Sequence, residues 1–353
     1  MRIAVIPGDG IGKEVTAQAV AVLRAVTSAG GRSLDLEQLP WSADHYLATG
    51  ITIPEGGYRY LADQFDAILL GALGDPRVPD NRHARDILLG TRFELDLYVN
   101  YRPVRLLDAS LCPLKDRSAA DVNFVVFREN TEGVYVGIGG RFKPGTPDEV
   151  AIQEEINTYK GVHRIIRHAF EFARATGRTH VCMADKSNAM REGHALWQRV
   201  FSEVAADFAG IEATHLYIDA LAYELVRDPR RFEVIVTNNL FGDIITDLGG
   251  ALQGGLGMAA SGNLHPGRTS LFEPVHGSAP PLSGRNVANP MGAILSAALL
   301  LETLGWTDGA RAIEDAVSAG LAAGQRTPDI GGTASTSGVG EWIAQEVLGV
   351  RSA

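Results

Sequence analysis

The chain has 353 residues, of which 45% are hydrophobic and 21% are charged, and its formal net charge is -10. A chain of this length can bury a large core and is expected to form two domains. The negative charge argues against nucleic acid or an anionic membrane as a partner, because both attract basic surfaces. An anionic substrate therefore needs a local cluster of basic side chains.

No apolar run reaches the ~20 residues that span a bilayer. The first seven residues also lack the long apolar stretch of a signal peptide. These features predict a cytoplasmic protein. Cys112 and Cys182 are the only cysteines, too few for a disulfide framework, and we interpret both as reduced packing residues.

The hydrophobic pattern predicts strands that alternate with helices. This order is typical of an α/β fold, in which ligands collect beyond the carboxyl ends of the strands. A glycine-rich zone at 249–262 predicts either a hinge or close helix packing. The predicted elements are, in chain order, strand 2–7, a glycine turn at 8–12, helix 14–26, strand 65–72, strand 122–127, a loop or short arm at 137–151, helix 158–175 and strand 232–237.

The glycine turn has the sequence Gly-Asp-Gly-Ile-Gly at 8–12 and follows the first strand, as a dinucleotide-binding turn does. The Rossmann pattern needs two residues before its last glycine, and this segment has one. A Rossmann domain is therefore not predicted. The segment is compatible with a nucleotide clamp or with a plain strand-to-helix turn.

Asp243 and Asp247 lie one helical turn apart and are flanked by apolar residues. Like charges at this spacing repel unless a cation lies between them. Carboxylates are hard ligands that suit Mg²⁺ or Mn²⁺. The pair therefore predicts half of a metal site, or else two solvated aspartates. Asp219, which closes a strand-like run, is either a third ligand or a cap.

Three arginines are candidates for binding a dicarboxylate, since each guanidinium can form paired hydrogen bonds with a carboxylate. They are Arg92, Arg102 and Arg128, and only Arg128 follows a predicted strand directly. Singly, each is also compatible with a surface or helix-capping role.

Tyr135 and Lys186 are candidates for an acid/base pair if their surroundings lower their pKa values. The alternatives are a half-buried packing tyrosine and a surface lysine. The turn-rich segments 272–281 and 286–290 are dense in backbone donors and include a histidine and an asparagine. Their composition suits an adenosine diphosphate group or a plain structural loop.

Together these motifs resemble the β-decarboxylating dehydrogenases that act on 2-hydroxy dicarboxylic acids, such as 3-isopropylmalate, isocitrate, homoisocitrate, tartrate and D-malate. The likeness covers essentially the whole chain and rests on the segments 7–12, 128–133, 239–244 and 272–280. It implies a two-domain α/β fold of the isopropylmalate dehydrogenase type, not a Rossmann fold. The implied domains are a cofactor-side domain of 1–98 plus 254–353 and a substrate, metal and dimerisation domain of 99–253.

The resemblance also implies an NAD-dependent oxidoreductase that works as a homodimer with shared active sites. It implies that Arg92, Arg102 and Arg128 bind the substrate carboxylates. It also implies that Asp243 and Asp247 bind Mg²⁺ or Mn²⁺ and that Asp219 joins them from the other subunit. In the same way, Lys186 is implied to cross the interface and assist removal of the hydroxyl proton, and Tyr135 to protonate the enolate. The implied cofactor-binding residues are Glu273, His276, Gly277, Ser278, Ala279 and Asn289.

One departure concerns the cofactor. Relatives that use NAD usually carry an aspartate for the ribose hydroxyls where this chain has Pro281. Relatives that use NADP place a Lys-Tyr pair here, and Pro281 with Leu282 supplies neither. We therefore expect NAD.

The segment 84–92 contacts the variable group of the substrate in this family. Leu88 and Leu89 predict an apolar pocket, in which burial of a branched alkyl group gains ~1–3 kcal/mol. This favours 3-isopropylmalate, with 4-methyl-2-oxopentanoate and CO₂ as products.

The first alternative is a tartrate or D-malate dehydrogenase. Three features resemble those enzymes: the segments 41–46 and 78–80, and Asn130. Arg85 also stands where many isopropylmalate enzymes have an acid. A non-catalytic regulatory subunit of this family is the second alternative. It is disfavoured because the metal aspartates, Tyr135 and Lys186 are all present.

Overall fold

The computed structural model describes residues 1–349. The chain forms two compact units. Unit 1 comprises Met1–Leu97, Arg102–Val122 and the described residues from Gly250 onward, and unit 2 comprises Tyr98–Tyr101 and Asn123–Gly249. In the described part of the chain, no helix has the length and apolar character needed to cross a membrane.

Strands of both units occur at or near the predicted positions. Over the described residues they are β1 Arg2–Gly8, β2 Asp35–Gln38, β3 Ala67–Ala72, β4 Val99–Arg105, β5 Asn123–Glu129, β6 Gly139–Phe142, β7 Val150–Gln153, β8 His180–Asp185, β9 Glu212–Tyr217, β10 Val234–Thr237, β11 Ala260–Leu264 and β12 Ser270–Pro274.

The helices include a π-helical turn at Arg85–Gly90, between two short α-helical turns. The α-helices are α1 Gly12–Gly30, α2 Ala43–Thr49, α3 Gly57–Gln64, α4 Arg82–Ala84, α5 Thr91–Glu94, α6 Tyr159–Thr176, α7 Arg191–Ala205, α8 Ile218–Arg227, α9 Asn239–Leu252, α10 Met291–Thr303, α11 Thr307–Ala322 and α12 Thr336–Val347.

Unit 1 is built on a mixed sheet with the strand order β2-β1-β3-β12-β11. The pairs of β1 with β2 and β3 are parallel, as is that of β3 with β12, whereas β11 and β12 are antiparallel. Helix α1 packs against α10 and α12. Its predicted apolar face is buried, which confirms the periodicity: Val15, Ala19, Val22, Leu23 and Val26.

Unit 2 contains a parallel sheet with the strand order β5-β10-β8-β9. Helix α6 covers β5 and β10 and packs against α7. All six of its predicted apolar positions are buried: Val162, Ile165, Ile166, Ala169, Phe170 and Ala173. The predicted loop or arm is a two-stranded antiparallel ribbon, β6–β7. The α/β prediction is confirmed.

The structure differs from the predicted boundaries at 102–122 and at 250–253, both of which belong to unit 1. The Arg105 N–H donates to Gln253 at 2.8 Å, and Arg326 donates to Asp108 at 2.6 Å. These bonds attach the segment to the C-terminal part of the chain. In the glycine-rich zone, a side chain at Gly257 would come within 2.7 Å of a neighbouring residue, so this glycine permits close packing.

Candidate active site

Arg128 emerges at the carboxyl end of β5 and is almost completely buried. Its Nε and one terminal nitrogen donate to Asn239 Oδ1 at 2.9 and 2.7 Å, and the other terminal nitrogen donates to Asp243 Oδ1 at 2.5 Å. A Cβ at Gly242 would lie 2.5 Å from the Arg128 side chain. Glycine at this position therefore lets the arginine pass the first turn of α9.

Tyr135 joins this cluster. Its hydroxyl donates to Asp243 Oδ2 at 2.9 Å, and its ring lies 5.3 Å from the Arg128 guanidinium carbon. The structure thus brings together three residues that the sequence assigned to the substrate, the metal and acid/base chemistry. Asp247 lies one turn further along α9 and is exposed.

Lys186 and Asp219 form a second pair in unit 2. Lys186 follows β8, and its Nζ donates to Asp219 Oδ1 at 2.5 Å. This hydrogen bond lowers the pKa of Asp219. Asp219 is exposed and lies in the first turn of α8, not at the end of a strand as predicted, because β9 ends at Tyr217.

The turn after Arg128 is shaped by two glutamates that the sequence analysis did not single out. Buried Glu129 accepts the N–H groups of Thr131 and Glu132 at 2.9 and 2.7 Å, and burial raises its pKa. Glu132 accepts the Thr158 N–H at 2.8 Å. These bonds fix the path from Arg128 to Tyr135. The acidic residues at positions 129 and 132 of the segment 128–133 were visible in the sequence and could have indicated this role.

In unit 1, Arg92 forms a buried ion pair with Glu273, at 2.9 Å. Asn263 donates to the same carboxylate oxygen at 2.9 Å. The family resemblance implies a substrate role for Arg92 and a cofactor role for Glu273, and in the structure the two side chains are in direct contact. The Arg92 Nε is buried and makes no hydrogen bond within residues 1–349. Arg102 lies on β4 and is also buried.

Leu88 and Leu89 lie on the π-helical turn, and both are half-buried. Leu88 packs against the core of unit 1 around Ile87 and Leu97. Its side chain is therefore partly committed to the core, whereas Leu89 does not belong to this packing cluster.

The predicted cofactor loop lies on the N-terminal glycine turn. Ile11 N–H donates to the Ser278 carbonyl at 2.9 Å. Gly10 has a φ of +54°, and a Cβ at this position would clash with the same carbonyl group. His276 Nδ1 lies 3.0 Å from the Gly277 carbonyl, and burial lowers the pKa of His276. Its Nε2 is buried and has no partner among the described residues, so it is available to a ligand.

Other members of the loop have structural contacts of their own. Asn289 is buried, accepts the Met291 N–H at 3.0 Å and donates to Asp329 at 3.2 Å. Its amide oxygen thus binds the first backbone N–H of α10. Ala279 has a φ of +39°, and Pro281 lies exposed in a short 3₁₀ turn.

Asp9, in the glycine turn, was not predicted as a site residue, although an acid within a glycine motif was visible in the sequence. Its carboxylate accepts the N–H groups of Ala43 and Gly74 at 2.7 and 2.9 Å and lies 2.8 Å from His83 Nε2. Asp9 therefore connects the glycine turn to three other segments of unit 1: the start of α2, the loop at Gly74 and α4.

The candidate site offers side chains for a metal ion and for NAD. Within residues 1–349 of one chain, no group of three His, Cys, Asp or Glu side chains is arranged to hold a metal. Asp243 and Asp247 offer two oxygen ligands on one helix, which suits Mg²⁺ or Mn²⁺ once further ligands complete the shell. The unpartnered His276 Nε2 fits a polar cofactor on the loop.

Comparisons with known proteins define the class. A family model described as isocitrate/isopropylmalate dehydrogenase matches residues 2–343. The chain is 46% identical over 349 residues to the 3-isopropylmalate dehydrogenase of Thermobifida fusca (strain YX), covering 98% of each protein. It is 47% identical over 349 residues to that of Nocardia farcinica (strain IFM 10152), covering 98% of this chain and 100% of the relative.

The fold agrees with this match. The crystal structure of isocitrate dehydrogenase from Methylococcus capsulatus superimposes with a TM-score of 0.88 at 34% identity, covering 98% of this chain and 99% of that chain. The protein is thus a β-decarboxylating dehydrogenase. It belongs to the isocitrate/isopropylmalate dehydrogenase family, and the resemblance inferred from the sequence motifs is confirmed.

Proposed function

We propose that the chain catalyses the metal-dependent, NAD-linked oxidative decarboxylation of 3-isopropylmalate to 4-methyl-2-oxopentanoate and CO₂. The observation that carries this proposal is the full-length similarity to 3-isopropylmalate dehydrogenases. The contact of Arg128, Asp243 and Tyr135 in unit 2 supports it, because it joins an anion binder, a metal ligand and a proton donor.

Each role follows from the chemistry of the residue. Arg92, Arg102 and Arg128 bind the substrate carboxylates, since a guanidinium matches a carboxylate with paired donors. Lys186 accepts the proton of the substrate hydroxyl as the C2 hydride leaves, and Tyr135 protonates the enolate carbon.

Bound NAD supplies the hydride acceptor, and a bound Mg²⁺ or Mn²⁺ ion supplies the positive charge that stabilises the enolate. Asp243 and Asp247 would hold the metal ion, with Asp219 from the second subunit. Glu273 at the end of β12 and the residues His276, Gly277, Ser278, Ala279 and Asn289 after it would border NAD. Among them Asn289 contributes through the shape of the loop, because its amide oxygen accepts the Met291 N–H at the start of α10.

The active unit is proposed to be a homodimer formed by unit 2. Contiguous exposed apolar side chains mark surfaces that bind a partner, and an isolated two-stranded ribbon is marginally stable in water. Exposed large apolar residues occur on and beside the β6–β7 arm, on α8, and next to Asp243 on α9: Ile138, Phe142, Val150, Ile152, Tyr223, Val226 and Ile244.

A substrate panel tests the proposal. Activity with 3-isopropylmalate, D-malate, tartrate, isocitrate and homoisocitrate is measured with NAD and with NADP, in the presence of Mn²⁺. We expect the highest kcat/KM with 3-isopropylmalate and NAD, and loss of turnover in EDTA that Mn²⁺ restores. A higher kcat/KM with D-malate or tartrate would show that 3-isopropylmalate is not the preferred substrate. Activity that persists in EDTA would refute the role of the metal ion.

A further inference from the structure

A fully buried histidine lies behind the loop that carries Lys186. His194 belongs to the first turn of α7 and has no exposed surface. The backbone N–H of Lys186 donates to His194 Nδ1 at 2.7 Å. A neutral imidazole has one acceptor nitrogen and one donor nitrogen, so this bond places the ring proton on Nε2.

The other side of the imidazole faces a glutamate and an asparagine. His194 Nε2 lies 3.3 Å from Glu155 Oε2 and 3.4 Å from Asn238 Nδ2. The other Glu155 oxygen accepts from Asn238 Nδ2 at 2.6 Å. Asn238 Oδ1 accepts the Phe241 N–H at 2.8 Å, in the first turn of α9. A path of partly buried polar contacts therefore runs from α9, which carries Asp243 and Asp247, to the backbone of Lys186.

The neighbours of Lys186 are held as well. Asp185 is buried, and its Oδ1 accepts the Ser187 N–H at 3.0 Å. Its Oδ2 accepts from Gln198 at 2.8 Å. The backbone is thus fixed before and after Lys186, and the histidine contact fixes the residue itself.

We propose that His194, oriented by Glu155, is a positioning residue for Lys186, an inference that rests on the proposed role of Lys186 as proton acceptor. Loss of the Nδ1 acceptor would leave the Lys186 N–H without its partner and free the peptide to rotate. The amino group at the end of the side chain would then shift. A misplacement of about 1 Å at a reacting group can cost about 100-fold in rate.

Two substitutions of similar polarity separate positioning from burial. In His194→Asn the amide oxygen replaces the Nδ1 acceptor, whereas in His194→Gln the amide reaches the Nε2 position and leaves the Lys186 N–H without an acceptor. We expect His194→Asn to keep kcat within about threefold of wild type. His194→Gln is expected to lower kcat by about 10- to 100-fold, while KM for the hydroxy acid substrate changes less than about twofold.

Amide exchange gives a readout that does not depend on activity. Hydrogen exchange of the peptide around Lys186 is expected to stay slow in His194→Asn and to accelerate in His194→Gln. The matched control is His168→Gln, which alters a half-buried histidine of unit 2, packed on Phe127. The control reports how much the Tm falls when a packed imidazole is replaced without a link to Lys186.

Equal kcat losses in the two His194 variants would overturn the positioning role. A kcat loss in proportion to the decrease in Tm, as the His168→Gln control shows it, would overturn it as well. If His194→Gln does not fold, Glu155→Gln replaces it, and faster exchange of the Lys186 amide with lower kcat is then expected. Unchanged exchange would contradict the proposal.

A Lys186→Ala variant keeps this result distinct from the proposed function. If Lys186→Ala retains kcat, the proton-acceptor role itself fails. If it abolishes turnover while the His194 variants match each other, only the positioning inference fails.

Discussion

Arg128 is a buried cation, and a buried guanidinium is tolerated where its N–H groups meet acceptors. Asn239 supplies one oxygen to two of its nitrogens, and the Asn239 amide nitrogen donates to the Glu132 carbonyl at 3.0 Å. Asn239 therefore orients the Arg128 guanidinium. Its position at the start of α9, two residues after the end of β10, makes this possible.

Substitution of Asn239 by alanine is expected to lower kcat/KM for 3-isopropylmalate by about 10-fold or more, mainly through KM. The loss of an acceptor for a charged donor costs about 1.5–3 kcal/mol. Steady-state kinetics measure the effect. Asn239→Asp, which keeps the oxygen acceptor, serves as the control and should lose less. Equal KM values for wild type and Asn239→Ala would contradict the assigned role.

His168 packs edge-on against Phe127, and burial lowers its pKa to about 4, from an ordinary value of 6.5. The unfolded chain therefore takes up a proton between these two values while the folded chain does not. Stability from this group is present above pH 6.5 and is lost as the pH falls toward 4. At pH 5 the loss amounts to about 2 kcal/mol.

A His168→Phe variant is expected to lack this acid-dependent loss. Its Tm relative to wild type should rise as the pH is lowered from 7 to 5. Differential scanning calorimetry across this range measures the difference. A Tm difference that is constant with pH would show that His168 does not carry the linkage.

At the scale of elements, the sequence predicted what local periodicity determines. Helices α1 and α6 lie within a few residues of the predicted spans, because buried apolar side chains recur at helical spacing in both. The π-helical turn at Arg85–Gly90 was not predicted. The Tyr58 hydroxyl donates to the Asp86 carbonyl at 2.8 Å, and Gly90 lies against the same hydroxyl. A partner 28 residues away in the chain leaves no local signal at this turn.

The π-helical turn carries the residue that we expect to select the substrate. Leu89→Arg should reduce kcat/KM for 3-isopropylmalate, because the charge would be desolvated against an alkyl group. It should favour homoisocitrate, which carries an additional carboxylate. Relative kcat/KM values for the two substrates measure the change. Leu88→Arg is not a suitable control, since Leu88 packs on the core, but Leu89→Met keeps an apolar wall and should preserve the ranking.

At the scale of the molecule, residue types and motifs identified most of the candidate site, whereas the pairings within it depend on strand order. Arg92 and Glu273 are 181 residues apart and were assigned separate roles, yet they form one buried ion pair. Arg128 and Asn239 are 111 residues apart and meet because β5 and β10 are neighbours. Long-range pairing of this kind follows from the folded sheet and not from spacing along the chain.

The pair of Lys186 and Asp219 bears on assembly, because both residues are proposed to serve the active site of the other subunit. Neither a Lys186→Ala homodimer nor a Tyr135→Phe homodimer should turn over substrate. In a mixed dimer, one site combines the intact Tyr135 of the first subunit with the intact Lys186 of the second, and the other site lacks both. Random reassortment should therefore restore about a quarter of the wild-type activity. Activity is measured after refolding the two variants together, with dimer composition verified by mass spectrometry. Heterodimers without activity would show that each chain builds its own site.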